Sequence, residues 1–222
     1  MNARTSVFAL GRVFLMIILV FVSKVDCQDN SQRRLPPARF AAEPEAGLKR
    51  SSAIVFRIKD AAFIRAYEDV VRILRGSNSC SEFFGGPAAV TVFNELAAEM
   101  TKIYSNESTG IRMYGPQTTI EIAGSSLHYR MFARAEINGH GSFFHQNIFD
   151  GVPKTPRVGR FSPNTREART LMLLHELGHL IAFAPGQWLL PNDGNDEWQS
   201  QDNTYIVLKH CEQAIKAKPG AN

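Results

Sequence analysis

Two histidines four residues apart, His175 and His179, with Glu176 beside the first, are the side chains of this 222-residue chain whose types and spacing best suit chemistry. On a helix, residues at i and i+4 stack on one face, so both imidazoles can aim a nitrogen at one point about 2 Å from each. That is a seat for zinc. Glu176 projects one position around the helix, where its carboxylate can reach a water at that point without being a ligand itself, the place of a general base. All three interrupt an otherwise apolar stretch running from Leu171 to Phe183, where unpaired polar groups are costly.

The run Leu173-Leu174-His175-Glu176-Leu177-Gly178-His179-Leu180-Ile181 closely resembles the active-site helix of the zincin metallopeptidases. The resemblance covers that helix and little else. It implies that His175 and His179 are ligands of a catalytic zinc, that Glu176 is the base, and that the substrate is a peptide or protein. It also implies an edge strand to hold the peptide, for which Leu127 to Ile137 and Ser142 to Ile148 are candidates. The metzincin subclass does not fit, because Pro185 stands where its third histidine would be and Ala182 replaces its glycine. Gluzincins take their third ligand from a glutamate and aspzincins from an aspartate, which makes Glu197, Asp193 and Asp196 candidates. Asp193 is preferred, since Pro191-Asn192-Asp193-Gly194 is a tight-turn sequence able to fold an acidic side chain back toward the helix. The plainer alternative is a solvated Asx turn. Asp202 and His210 are further options, and His140, His145 and Tyr205 are more simply read as structural, with Tyr205 expected to pack in the core.

Two other functions use the same residues. One is a secreted zinc-binding structural or interaction domain without catalysis, and the other is a zinc amidase acting on a non-peptide amide.

The helix that carries the motif is expected to start at Asn164, with Glu167 three residues on as in a capping box, and to end near Ala184 at Pro185-Gly186. Its second half is apolar nearly all round, which makes it a buried central helix. Gly178 inside it suggests close approach by a neighbouring backbone. Upstream, Ala53 to Ile58 reads as a strand, Asp60 to Arg75 as an amphipathic helix stopped by Gly76, Cys80 to Pro87 as a turn, and Ala88 to Tyr104 as a second helix. Thr118 to Ile122, Leu127 to Ile137 and Ser142 to Ile148 read as a strand meander with Asn138-Gly139 as a hairpin signal. A last helix from Ser200 carries Ile206, Val207, Cys211 and Ile215. The expected fold class is therefore α+β: a small, mostly antiparallel sheet with a buried metal helix and a C-terminal helix, zincin-like.

Arg4 and Arg12 precede the apolar run Val13 to Val22 and a more polar stretch, Ser23 to Gln28, the layout of a signal peptide over residues 1–27. The run is short of the ~20 apolar residues needed to span a bilayer, so no stable membrane insertion is expected after its removal. Residues 28–50 are rich in proline, alanine and charge, a flexible leader, and the metallopeptidase-like domain is expected over 51–217. Lys24-Val25-Asp26 before Cys27 lacks the small apolar pattern of a lipid-attachment site. Cleavage after Cys27 leaves Cys80 and Cys211, which in a secreted or periplasmic protein can pair and stabilise the fold by several kcal/mol. Of the formal charge of +4, about +2 remains after the leader is removed, and nothing in that balance points to nucleic acid.

Overall fold

Asp60 caps the first helix, α1 (Ala61–Arg75), by accepting a hydrogen bond from the Ala62 amide at 2.8 Å, one of the orphan donors every helix start must satisfy. Phe63, Ala66, Val70, Ile73 and Leu74 recur at helical spacing along α1 and are buried, and Gly76 ends it as the sequence indicates. The computed structural model describes residues 54–106, 110–121, 127–146, 157–194 and 196–217. Residues 1–27 and 28–50, with the signal peptide, the leader and Cys27, lie outside the described residues. Every described element belongs to one compact unit, Lys49–Asn222.

After α1 come the short α2 (Ser79–Phe83), a 3-10 turn at Gly86–Ala88, and α3 (Ala89–Glu99). The sequence reading extends this last helix to Tyr104, but it stops at Glu99 and the chain becomes strand β1 (Met100–Ile103). Met100 and Ile103 keep helical spacing with Leu96, so the pattern alone does not show the break. Parallel pairing of Met100–Ile103 with Ala135–Asn138 does, and β-branched Thr101 and Ile103 suit a pleated strand. Likewise the expected strand at Ala53 to Ile58 forms no ladder over its described part. Phe56 instead sits edge-on to Phe63 and Tyr67, with ring centroids 5.9 and 4.7 Å away.

Strand β2 (Ile111–Glu121) runs antiparallel along β3 (His128–Asn138), with a register shift between Tyr114 and Gln117. That shift contains Gly115, at φ 92°, and Pro116, which has no N–H to donate. Along its other edge β3 pairs with β1 toward its C-terminal end and, at His128 and Tyr129, with β4 (Ile181–Ala184). Short β5 (Gln187–Trp188) completes the five-stranded sheet. β3 is paired with β2 along one side and, on the other, only at its two ends with β4 and β1, and Ser142 to Phe144 form a turn rather than a third meander strand, with the Phe144 and His145 amides both donating to the Gly141 carbonyl. Among the described residues β1, β2 and β5 each pair with a single strand, and β2, the longest of the three, begins well before the expected Thr118.

Helix α4 (Arg166–Leu180) carries the two histidines and packs against α1 and against α5 (Glu197–Lys216). Its cap is Thr165, whose hydroxyl accepts from the Ala168 amide at 3.2 Å. Asn164, the expected cap, sits instead in the left-handed region at φ 61° and accepts from Arg169. The helix ends four residues earlier than the sequence suggests, because Ile181 and Ala182 are taken into the sheet by Tyr129 and His128. The result is an α+β arrangement of a small, mostly antiparallel sheet with five α-helices among the described residues. Cys80 on α2 and Cys211 on α5 form a disulfide across 131 residues of chain, pinning the last helix as expected. No helix among the described residues is long and apolar enough to cross a membrane.

Candidate metal centre

Helix α4 does what the four-residue spacing requires: His175 and His179 lie on one face, both buried, with their Nε2 atoms 3.1 Å apart. The third member arrives from the loop between β5 and α5. Asp193 Oδ2 lies 3.1 Å from His175 Nε2 and 3.4 Å from His179 Nε2. The turn that delivers it is closed by the Asp196 amide donating to the Asp193 carbonyl at 2.7 Å, with Gly194 at φ 49° inside the turn. Such a φ suits glycine. The same loop is tied down by Asn203 of α5, fully buried, whose side-chain amide donates to the Pro191 carbonyl at 3.0 Å and reaches Asp193 Oδ2 at 3.4 Å. Gln199 in turn donates to the Asn203 side-chain oxygen at 3.1 Å.

The donor set of His175, His179 and Asp193 could hold a metal ion. Three atoms that each offer a lone pair crowd one point, and a proton between one pair leaves the third contact repulsive, whereas a divalent cation satisfies all three. Two imidazole nitrogens and one carboxylate oxygen suit a first-row ion of borderline softness such as zinc, whose tetrahedral ligand atoms stand about 3.3 Å apart. The far nitrogen of His175, Nδ1, lies 3.0 Å from the Thr204 hydroxyl on α5, the outer contact that fixes the tautomer of a metal-ligating imidazole. His179 Nδ1 is buried with no hydrogen-bond partner among the described residues, so the polar contacts of that ring are on the Nε2 side, toward His175 and Asp193.

Electrostatics agree with a cation-seeking site. Burial disfavours ionisation of Asp193, but hydrogen bonding to His175 and His179 and their charges outweigh it and hold the carboxyl far below the usual carboxylate range. Burial alone would depress His179, yet the contact with Asp193 and the charges of Glu176 and Asp193 leave it raised. Glu176 is pushed up, chiefly by desolvation, with His175 and His179 pulling the other way. Its carboxylate receives no hydrogen bond from a described residue, and the residue keeps part of its surface open.

Of the alternative acids, Asp196 is spent as the cap of α5, accepting from the amides of Trp198 and Gln199, and Glu197 and Asp202 are exposed. His210 stacks on Phe83 at 4.3 Å, and the His140 ring lies beside Tyr104 at 5.0 Å and His145 at 6.4 Å; none of the three histidines joins the cluster. Tyr205 is half exposed rather than packed in the core. Gly178 is closely approached, as expected, though by a side chain as well as by backbone: a Cβ there would meet Leu190 Cδ1 at 2.5 Å, and the Leu190 amide donates to the Gly178 carbonyl at 3.1 Å.

Sequence reasoning missed Asn203, Thr204 and Arg130. Asn203 had a signal, since it continues the stripe of Val207, Cys211 and Ile215 at four-residue steps and so places an amide where an apolar side chain is due. Arg130 donates through Nε to the His179 carbonyl at 2.7 Å, a cation at the C-terminal end of the metal helix where the helix dipole favours one. Strand alternation gives no hint of that contact.

No protein-family model, no curated protein and no solved structure matches this chain.

Proposed function

We propose that this chain is an exported zinc metallopeptidase of zincin type that hydrolyses peptide bonds, with His175, His179 and Asp193 as the metal ligands and Glu176 as the general base. The observation that carries the reading is the convergence of the two Nε2 atoms and Asp193 Oδ2 on one point, 3.1 to 3.4 Å apart, with Glu176, a partly exposed residue, on the intervening helical turn. Export is supported by the signal-like start of the sequence and is compatible with the Cys80–Cys211 disulfide.

Zinc, when bound, supplies a Lewis acid that polarises a carbonyl and makes water a stronger acid. The protein's part is positioning and proton handling. Asp193, ionised and anchored by Asn203, and His175, oriented by Thr204, keep the ligand atoms in place before any ion arrives. Glu176 takes a proton from the attacking water as oxygen adds to the scissile carbonyl carbon, and returns it to the amine nitrogen as the C–N bond breaks. Its desolvated setting raises its proton affinity toward the range in which one carboxyl can do both.

The test is zinc content of the mature protein and of Glu176→Gln, together with cleavage of a mixed peptide library by each. Zinc in both with cleavage by the wild type alone is the expected result. Zinc in both with no cleavage would replace this reading with a binding domain or an amidase, and no zinc would remove the site.

A further inference from the structure

Arg130 carries a charge that no described residue neutralises. The residue is 5% exposed. Its Nε donates to the His179 carbonyl and its Nη1 to Gln117 Oε1 at 3.2 Å, both uncharged acceptors, while Nη2 is buried without a hydrogen-bond partner. Trp188 covers the guanidinium at 4.2 Å from its ring centre and Phe132 lies at 5.1 Å. Aromatic faces attract a cation but take none of its in-plane N–H groups. A buried ion without a counterion is expensive, and buried donors are rarely left unpaired.

Its surroundings give the orphaned edge a direction. The Nε bond fixes the guanidinium to the backbone of a metal-site histidine. Nη1 reaches Gln117, an exposed residue of β2, whose second edge is unpaired among the described residues. Gln117 is a neutral, solvent-facing group that can swing away at little cost, opening Nη1 and Nη2 as a two-pronged donor of the kind that binds carboxylates.

We propose that Arg130 is an anion subsite beside the metal centre and that the substrate presents a carboxylate to it, displacing the Gln117 amide and pairing with Nη1 and Nη2. The proposal deepens the peptidase reading, on which it rests only for the carrier of the carboxylate. That carrier is a peptide, through its C-terminal carboxylate or an acidic side chain.

The chain has two tryptophans, so zinc-loaded Trp198→Phe protein reports through Trp188, which lies on the guanidinium. Its emission is titrated with acetylated tetraalanine as the free acid and as the amide, and with acetylated tripeptide amides bearing a central glutamate or glutamine. At least one acid should bind saturably and about tenfold or more tighter than its matched amide, and which acid does so identifies the source. The preference should vanish in Gln117→Glu, where a resident carboxylate takes the guanidinium, and in Arg130→Gln. The first variant changes an exposed side chain and so keeps the test decisive if the second fails to fold. Equal binding of acid and amide, no binding of either acid, or an acid preference that survives Gln117→Glu would overturn the proposal. Zinc content and library cleavage are read separately: cleavage without acid preference rejects the subsite alone, and acid preference without cleavage rejects the peptidase reading alone.

Discussion

The Thr204 hydroxyl lies 3.0 Å from Nδ1 of His175, the ring nitrogen opposite the one that meets Asp193. The last helix thus holds α4 by a side chain that meets His175 on the ring nitrogen facing away from Asp193. If the imidazole is oriented by that contact, Thr204→Val keeps the shape and removes the acceptor. Zinc affinity should fall about 10- to 100-fold, measured by competition with a chromogenic chelator, while the melting temperature of the metal-free protein changes little. A variant that binds zinc as tightly as the wild type would leave Thr204 a packing residue.

Gly178 is the second place where the site leans on its neighbours. A methyl group there would lie 2.5 Å from Leu190 Cδ1 and 2.7 Å from Cγ, and Leu190 is fully buried, so it has no free space to move into. Alanine gains about 1 kcal/mol of helix propensity over glycine, but overpacking a filled core costs about 1–3 kcal/mol. The second effect wins, and Gly178→Ala should be net destabilising by roughly 1–2 kcal/mol in urea denaturation. Paired with Leu190→Ala, the two losses should be clearly less than additive, because the truncated leucine no longer meets the methyl group.

These two contacts mark how far the sequence could be read. The helical spacing of His175 and His179 and the turn chemistry around Asp193 are local, and both are where the residue types place them. The α1 boundaries follow from Asp60 and Gly76 for the same reason. What local pattern could not give is competition between a helix and a distant partner. Met100 to Ile103 and Ile181 to Ala184 both continue an apolar helical pattern, and both become strands because β3 has free ladder groups beside them. The supporting residues Asn203, Thr204 and Arg130 act through contacts between elements far apart in sequence. Only Asn203, which breaks an apolar stripe, leaves a local trace.

Asp60 offers a pH test apart from the metal. Burial raises its pKa, but the Ala62 amide and the Lys102 ammonium, 3.2 Å away, outweigh it and leave the group below 3.8. A carboxyl lowered by folding stabilises the native state above its unfolded pKa, and that stabilisation fades as pH falls through the lower folded value. Asp60→Ala should therefore cost about 1 kcal/mol at neutral pH, the usual loss for an N-cap. Part of that difference should disappear below pH 3.8 as the wild-type carboxyl is protonated. Denaturant midpoints of both proteins across that range check it, and a difference independent of pH would mean that the ionised state of Asp60 contributes nothing.

The disulfide reaches the metal centre through one helix. Cys211 lies on α5 with Asn203 and Thr204, so the bond that joins α5 to α2 also anchors the two residues that steady Asp193 and His175. A cross-link enclosing 131 residues restricts the unfolded chain, and removing one of that kind typically costs about 2–5 kcal/mol. Cys80→Ser/Cys211→Ser should therefore melt well below the wild type. Because α5 then has only its noncovalent contacts to hold it, zinc affinity should also weaken under conditions where the double variant is still folded. If stability falls while zinc affinity is unchanged, the contacts of α5 with α4 suffice to position Thr204 and Asn203, and the disulfide acts on the unfolded chain alone. A parallel loss of both would show that the cross-link also fixes the metal centre.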